Sequence, residues 1–209
     1  MENSIIFNED CMKVMARYPD GYFDLACVDP PYGIGESGGK CRTRKKHNNI
    51  VKHTKKKWDL SIPEKKYFTE LFRVSKNQII WGANYFTQYL PSSMGWIYWD
   101  KKIGGDFSDG ELAYTSFNKA LKSFTRWSGN NGIAKIHPTQ KPIELYYFCF
   151  EFAKLQLNAK ILDTHLGSGS SRIAAHKAKM NFVGCEIDKE YFLASEKRFN
   201  QYKAQLTIF

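Results

Sequence analysis

The chain has 209 residues, and 43% of them are hydrophobic, which is enough to bury a sizeable core. Lys and Arg number 31 against 21 Asp and Glu, so the net charge is +10. No apolar run reaches the roughly 18 residues of a membrane span, and the N-terminus lacks a signal-peptide pattern, so we expect a soluble, cytoplasmic protein.

The cysteines are odd in number and include no Cys-x-x-Cys pair. We therefore expect reduced thiols, most of them in the core. A zinc site made of Cys41, His47 and His53 lacks an evident fourth ligand, so we expect no metal.

The excess positive charge is concentrated in one segment. Between Lys40 and Lys57 there are nine basic residues and no acidic one, and without them 22 basic residues remain against 21 acidic ones. Such a segment favours a polyanionic partner, most simply nucleic acid. The alternative is a solvated segment without a partner. The nine residues are Lys40, Arg42, Arg44, Lys45, Lys46, Lys52, Lys55, Lys56 and Lys57.

Hydrophobic patterning predicts strands and helices that alternate along most of the chain. The predicted strands are 4–8, 23–28, 78–81, 95–100, 112–117, 121–127, 160–163 and 181–186. The predicted helices are 11–17, 64–74, 142–155, 172–179 and 189–202. Strands 112–117 and 121–127 are expected to pair as a hairpin around Asn118-Lys119. The order predicts one α/β domain with ligands at the carboxyl ends of parallel strands.

The most informative stretch follows the apolar run Phe23–Val28. It reads Asp29-Pro30-Pro31-Tyr32, and two prolines cannot continue a sheet ladder. The strand therefore ends on a rigid ledge that offers a carboxylate, a prolyl carbonyl and an aromatic face. A planar amine, such as the exocyclic amine of a base, fits this set. The alternative is an ordinary turn after a strand.

A second candidate site is the small-residue loop 164–171, which links strand 160–163 to a helix. Its backbone N–H groups can approach a ligand closely. The strand that follows ends on Glu186, about 20 residues beyond the loop, a placement typical of an acid that binds ribose hydroxyls. The missing Gly-Lys-Ser/Thr ending excludes a P-loop.

Together these stretches resemble the DNA amino-methyltransferases that use S-adenosylmethionine, including small phage-type members. Asp29–Tyr32 matches their catalytic Asp-Pro-Pro-Tyr motif. Residues 163–170 resemble their cofactor loop, with Thr164-His165 in place of the usual Pro-Phe, and residues 137–142 resemble the stretch that precedes it. Segments 81–86 and 99–101 also recur in such enzymes.

The catalytic motif precedes the cofactor motif, which corresponds to the β class. This resemblance implies a circularly permuted, Rossmann-like methyltransferase fold, a mostly parallel twisted sheet with helices on both faces. Strands 160–163, 181–186, 4–8 and 25–29 would be the first to fourth strands of that sheet.

The resemblance also implies roles for residues. Asp29, Pro30, Pro31 and Tyr32 would bind the target amine and stack on the base. Asp10 would bind the cofactor's adenine amine or merely cap a helix, and Lys141 would lie near the methionine carboxylate or on an exposed helix start. The implied cofactor-binding residues are Asp10, Asp163, Leu166, Gly167, Ser168, Gly169, Ser170, Glu186, Thr139 and Lys141.

The resemblance favours transfer to adenine N6 in flipped-out DNA, because the motif begins with Asp and not Ser. The alternatives are cytosine-N4 methylation, RNA methylation and a catalytically idle nucleic-acid-binding protein. The basic loop 33–60 and the insertion 113–136 are candidate DNA-recognition segments. In the tail 203–209, Gln205, Leu206, Ile208 and Phe209 resemble a sliding-clamp docking peptide, and packing onto the sheet is the alternative.

Overall fold

The computed structural model describes residues 4–37, 56–103, 108–127 and 135–206. The strands are β1 (Ser4–Phe7), β2 (Leu25–Val28), β3 (Gln78–Trp81), β4 (Trp96–Asp100), β5 (Gly110–Thr115), β6 (Lys122–Thr125), β7 (Lys160–Asp163) and β8 (Asn181–Cys185). The α-helices are α1 (Cys11–Met15), α2 (Lys65–Val74), α3 (Ile143–Ala153), α4 (Ser170–Lys177) and α5 (Lys189–Leu206).

The described strands form one sheet in the order β1-β8-β7-β2-β3-β5-β4-β6. Within it, only β5 runs antiparallel to its neighbours. The last two strands of the chain, β7 and β8, lie between the first two, β1 and β2. The α/β class and the permuted order are therefore confirmed, with β7, β8, β1 and β2 in the predicted positions.

The sheet is covered on both faces. Alternation along β2 sends Leu25 and Cys27 into one apolar cluster and Ala26 and Val28 into another. α3 and α4 contribute to the first cluster, and α1 and α2 contribute to the second. All four residues of β2 are buried, as expected for a parallel strand between two helical layers.

The predicted hairpin of 112–117 with 121–127 is wrong. β4 lies between β5 and β6, antiparallel to β5 and parallel to β6. β5 inserts between β3 and β4, so two neighbouring strands already satisfy its backbone hydrogen bonds. The insertion 113–136 consequently starts inside the sheet, where Ala113, Tyr114 and Thr115 are buried.

The last helix is longer than predicted. α5 continues to Leu206 and does not end near Tyr202, so Gln205 and Leu206 belong to its final turn. Ile208 and Phe209 lie outside the described residues. Among the helices that the structure describes, none is both long and apolar enough to cross a membrane. The described cysteines are free thiols, and Cys27, Cys149 and Cys185 are buried as predicted.

Candidate active site

The strand order reverses between β7 and β2, because β8 follows β7 on one side and β3 follows β2 on the other. Ligands bind at the carboxyl edge of such a switch point. A cleft of about 610 Å³ lies there. Residues that follow β1, β2, β7 and β8 line it, namely Glu9, Asp10, Asp29, Pro30, Pro31, Tyr32, Thr164, His165, Leu166, Gly167, Ser168, Glu186 and Ile187.

Asp29 stands at the centre of a hydrogen-bonded group. Lys141 Nζ donates to Asp29 Oδ2 at 2.6 Å, and the Tyr32 hydroxyl donates to Asp29 Oδ1 at 2.6 Å. Lys141 also donates to the Tyr32 hydroxyl at 3.0 Å. Burial raises the pKa of Asp29, Lys141 opposes that shift, and Glu111 adds to it. The ledge predicted from the sequence thus carries a carboxylate that its neighbours orient.

Glu111 is a site residue that the sequence reasoning missed. Its Oε2 lies 2.8 Å from Lys141 Nζ, and its Oε1 lies 2.5 Å from Lys101 Nζ. Burial works against its ionisation, but Lys141 and Lys101 lower the pKa of Glu111 to about 2. Burial also disfavours the charged form of Lys141, yet Asp29 and Glu111 together raise its pKa. Glu111 and Lys141 are therefore both charged at neutral pH.

Lys141 lines the cleft and is buried. Its side chain is 2% exposed, which excludes the exposed helix-start alternative. It contacts Asp29, Tyr32 and Glu111, so it joins the Asp29–Tyr32 ledge to β5. Thr139 is exposed, lines the cleft and pairs with Nδ1 of His137 at 3.2 Å.

Asp59 is a second residue that the sequence reasoning missed. Its Oδ1 accepts the backbone N–H groups of Tyr32 and Gly33, each at 2.8 Å, and its Oδ2 accepts that of Glu36 at 2.7 Å. The side chain is buried. A carboxylate with three backbone donors fixes the loop after the ledge, and with it the direction of Tyr32.

The glycine loop lines the cleft through Leu166, Gly167 and Ser168. Gly167 N donates to Glu186 Oε2 at 2.8 Å, which ties the loop to the end of β8. Gly167 and Gly169 have φ of 49° and 72°, in the left-handed region that favours glycine. Asp10 lines the cleft and also caps α1 by accepting from Met12 N at 2.8 Å.

Three predicted cofactor residues, Asp163, Gly169 and Ser170, do not line the described cleft. Asp163 accepts from Ser171 Oγ at 2.5 Å and from His165 N at 3.1 Å, and burial raises its pKa to about 7. Gly169 is the N-cap of α4, and Ser170 Oγ donates to the Lys141 carbonyl at 2.7 Å. These hydrogen bonds hold the loop and the start of α4 in place.

Thr164 and His165, which depart from the family pattern, also line the cleft. Thr164 Oγ1 lies 2.6 Å from the Tyr67 hydroxyl and 3.0 Å from His165 Nδ1. Burial lowers the pKa of His165 to about 4, so the ring is neutral at physiological pH. A small polar network thus replaces the usual Pro-Phe packing.

The basic segment falls mostly outside the described residues. The residues outside the described ranges include Lys40, Arg42, Arg44, Lys45, Lys46, Lys52 and Lys55. The zinc ligands considered from the sequence, Cys41, His47 and His53, also lie outside them. Lys56 is described and is paired with Asp188 at 2.6 Å and Glu190 at 2.7 Å. Lys57 is exposed. Within the described ranges, no cluster of three metal-binding side chains occurs.

Comparison with known proteins places this site in a family. A sequence profile described as DNA methylase matches residues 40–197. Type II methyltransferase M2.LlaDCHI of Lactococcus lactis subsp. cremoris is 26% identical over 260 aligned residues, covering 96% of this chain and 90% of the relative. Type II methyltransferase M2.DpnII of Streptococcus pneumoniae is 24% identical, covering 93% of this chain and 88% of its own length.

Solved structures share the fold. The M1.HpyAVI–SAM complex has a TM-score of 0.64 at 16% identity, covering 94% of this chain and 98% of its own. PvuII DNA methyltransferase, described as cytosine-N4-specific, has a TM-score of 0.62 at 12% identity, covering 97% of this chain and 92% of its own. The profile match extends over most of the chain. The chain therefore belongs to the DNA methylase family and is an S-adenosylmethionine-dependent DNA methyltransferase.

Proposed function

We propose that this enzyme methylates the N6 amine of adenine in DNA, after the target base has been flipped out of the duplex. The observation that carries the proposal is the Asp29 carboxylate, which lines the cleft beside Pro30, Pro31 and Tyr32. Flipping a base costs a few kcal/mol. Binding the extruded base in this cleft would offset that cost.

The residues present fit S-adenosylmethionine. Asp10 and Glu186 supply carboxylates at neighbouring strand ends, suited to the amine and hydroxyl donors of a nucleoside. Gly167, in the left-handed region, lines the cleft and donates its N–H to Glu186. Leu166, Gly167 and Ser168 would hold the methionine part. When bound, the cofactor supplies an electrophilic methyl group on sulfur.

Asp29 would act on the nucleophile. An adenine amine is a weak nucleophile because its lone pair is delocalised into the ring. A carboxylate that accepts one amine N–H favours a pyramidal nitrogen and orients the lone pair. Two oxygens offer about four acceptor sites, so Asp29 can accept the amine while Lys141 and Tyr32 hold it. Stacking of the base on Tyr32 remains a prediction.

DNA binding is assigned to the basic segment. Its described end is anchored, because Ser37 Oγ donates to the Lys56 carbonyl and Lys56 N donates to the Ser37 carbonyl at 3.2 Å. This Ser37–Lys56 contact is close in sequence to Trp58 and Asp59, which line the cleft. Neutralising Arg42, Arg44, Lys45 and Lys46 together is expected to flatten the salt dependence of DNA binding. An unchanged salt dependence of binding would show that the segment is not part of the DNA interface. The part of 113–136 beyond Thr115 is the rival segment for sequence reading.

Cytosine-N4 methylation is the second candidate, because one structural neighbour is described as cytosine-N4-specific. RNA methylation and an idle binding protein are the remaining alternatives. Sliding-clamp docking through Gln205, Leu206, Ile208 and Phe209 also stays a prediction, and the comparisons give it no support.

The deciding experiment incubates the protein with labelled S-adenosylmethionine and DNA of varied sequence, with an RNA arm, and then identifies the methylated nucleoside. N6-methyl-2′-deoxyadenosine from DNA is the expected product. N4-methylcytosine would overturn the base assignment, and label in RNA alone would overturn the DNA assignment. Cofactor binding without any labelled product would favour the idle protein.

A further inference from the structure

Four charged side chains alternate in sign across the cleft wall. Lys101 Nζ lies 2.5 Å from Glu111, Glu111 lies 2.8 Å from Lys141 Nζ, and Lys141 Nζ lies 2.6 Å from Asp29. All four side chains are less than 20% exposed, so solvent screens them only in part. Lys141 is thus a single ammonium shared by two carboxylates.

We propose that Glu111 is a positioning residue for methyl transfer, because it competes with Asp29 for the Lys141 ammonium and so keeps Asp29 a strong hydrogen-bond acceptor for the target amine. The inference rests on the proposed role of Asp29 as the acceptor. Glu111 also accepts from the Tyr32 hydroxyl at 3.1 Å, so it acts on Asp29 through Lys141 and Tyr32 and needs no contact with the base.

The strength of Asp29 as a hydrogen-bond acceptor depends on how much negative charge its carboxylate retains. A buried carboxylate paired with its own ammonium loses acceptor strength, because the cation stabilises its negative charge. A second carboxylate on the same ammonium draws part of that stabilisation away. The groups that face Asp29 directly or through Lys141 are Lys141, Tyr32 and Glu111, with Cys27, Tyr146 and Asp163 farther off.

The fold explains why Glu111 reaches this place. β5 runs antiparallel, so its first residues lie at the edge where the parallel strands end. Glu111 pairs with Trp99 of β4, one residue before Asp100 and two before Lys101. A Cβ on the preceding Gly110 would lie 2.3 Å from Cε2 of Tyr98 and 2.4 Å from the carbonyl oxygen of Trp99, so β5 packs closely against β4 at this point. Glu111 is therefore held firmly against Lys141.

The test measures kcat against pH on the DNA that the wild-type enzyme methylates, for the wild type, Glu111→Gln and Lys101→Gln. Activity requires ionised Asp29, so its protonation sets the acid limb. Removing the negative charge of Glu111 should shift that limb downward by roughly one pH unit and lower the plateau kcat. Lys101→Gln leaves Glu111 free to bind Lys141 more tightly, so its limb should shift upward. Glu151→Gln, on the exposed face of α3, is the matched control and should shift nothing.

Thermal midpoints and binding of S-adenosylmethionine show whether each variant is folded. If Glu111→Gln lowers kcat with its acid limb in place, Glu111 is only a packing element and the inference fails. An upward shift in Glu111→Gln also contradicts it. If Glu111→Gln does not fold, the direction of the Lys101→Gln shift decides. The proposed function is tested separately, by identifying the base that the wild-type enzyme methylates. If that base is cytosine, the same pH profiles can still be measured and still test the role of Glu111.

Discussion

The ring of Tyr32 packs directly on the backbone of Gly82. A Cβ built on Gly82 would lie 2.0 Å from Cε1 of Tyr32. The ring also stacks with Tyr85, at 5.1 Å between centroids and 14° between planes. Gly82 follows β3, the neighbour of β2, so the strand beside the ledge determines where Tyr32 can lie.

We predict that Gly82→Ala reduces methylation by about 100-fold, as a displaced catalytic group commonly does. The new methyl group must push Tyr32 away, and its hydroxyl then leaves Asp29. Gly35→Ala is the matched control, because Gly35 also has a positive φ, 77°, but a Cβ there meets nothing within 4 Å. Steady-state kinetics would show the difference. Equal losses in both variants would attribute the effect to backbone strain alone.

Asp29→Asn should lower kcat by two or more orders of magnitude while binding of S-adenosylmethionine stays within a few-fold of wild type. The amide keeps the shape of the side chain, and Lys141 retains Glu111 as its counter-ion. The residues expected to hold the cofactor follow β1, β7 and β8, away from this change. Calorimetry and single-turnover kinetics are the measurements. Near-wild-type turnover would refute the role of Asp29.

Adjacent lysines should differ in their effect on DNA binding. Lys56 is held by Asp188 and Glu190 and lies 4.4 Å from the ring centre of Tyr191, whereas Lys57 is exposed. We expect Lys57→Gln to reduce the slope of log K against log salt by about 0.9, the share of one phosphate contact. Lys56→Gln should leave the slope unchanged. Equal decreases would mean that Lys56 leaves its carboxylates for a phosphate.

Local patterns predicted most of the fold. Strands such as β2 and β7 are short apolar runs bounded by turn residues, and the ledge after β2 follows from two prolines. The position of β5 depends on pairing between strands distant in sequence, which local patterns do not encode. The short connection between β5 and β6 favoured a hairpin of these two strands, yet β4 lies between them in the sheet.

The same limit explains the residues that were missed. Glu111 precedes the predicted strand 112–117, and nothing nearby in sequence marks it as a site residue. For Lys141, by contrast, the sequence position does indicate a need for acidic partners. A cation just before α3 faces the positive end of the helix dipole, so its burial requires carboxylates from elsewhere. Asp29 and Glu111 supply them from β2 and β5.

The stability of the protein should fall as pH rises from about 4 to about 7, in part because of Asp163. The pKa of this carboxyl is raised by burial from 3.8 to about 7, although Ser171 and His165 N donate to it. The folded chain therefore keeps a proton that the unfolded chain releases in this interval, so unfolding becomes easier as pH increases.

We predict that Asp163→Asn removes this dependence. The free energy of unfolding of the variant minus that of the wild type should increase between pH 4 and 7, by at most about 4 kcal/mol for a shift of some three pKa units, because only the wild type loses stability in this interval. Asp24→Asn is the control. Burial opposes ionisation of Asp24, but hydrogen bonds from Lys160 and Lys76 lower its pKa, so its difference from wild type should be constant above pH 5. Denaturant titrations at several pH values give both curves. Parallel curves for Asp163→Asn and wild type would mean that Asp163 is already ionised in the folded protein at pH 5, and that its two hydrogen bonds outweigh burial.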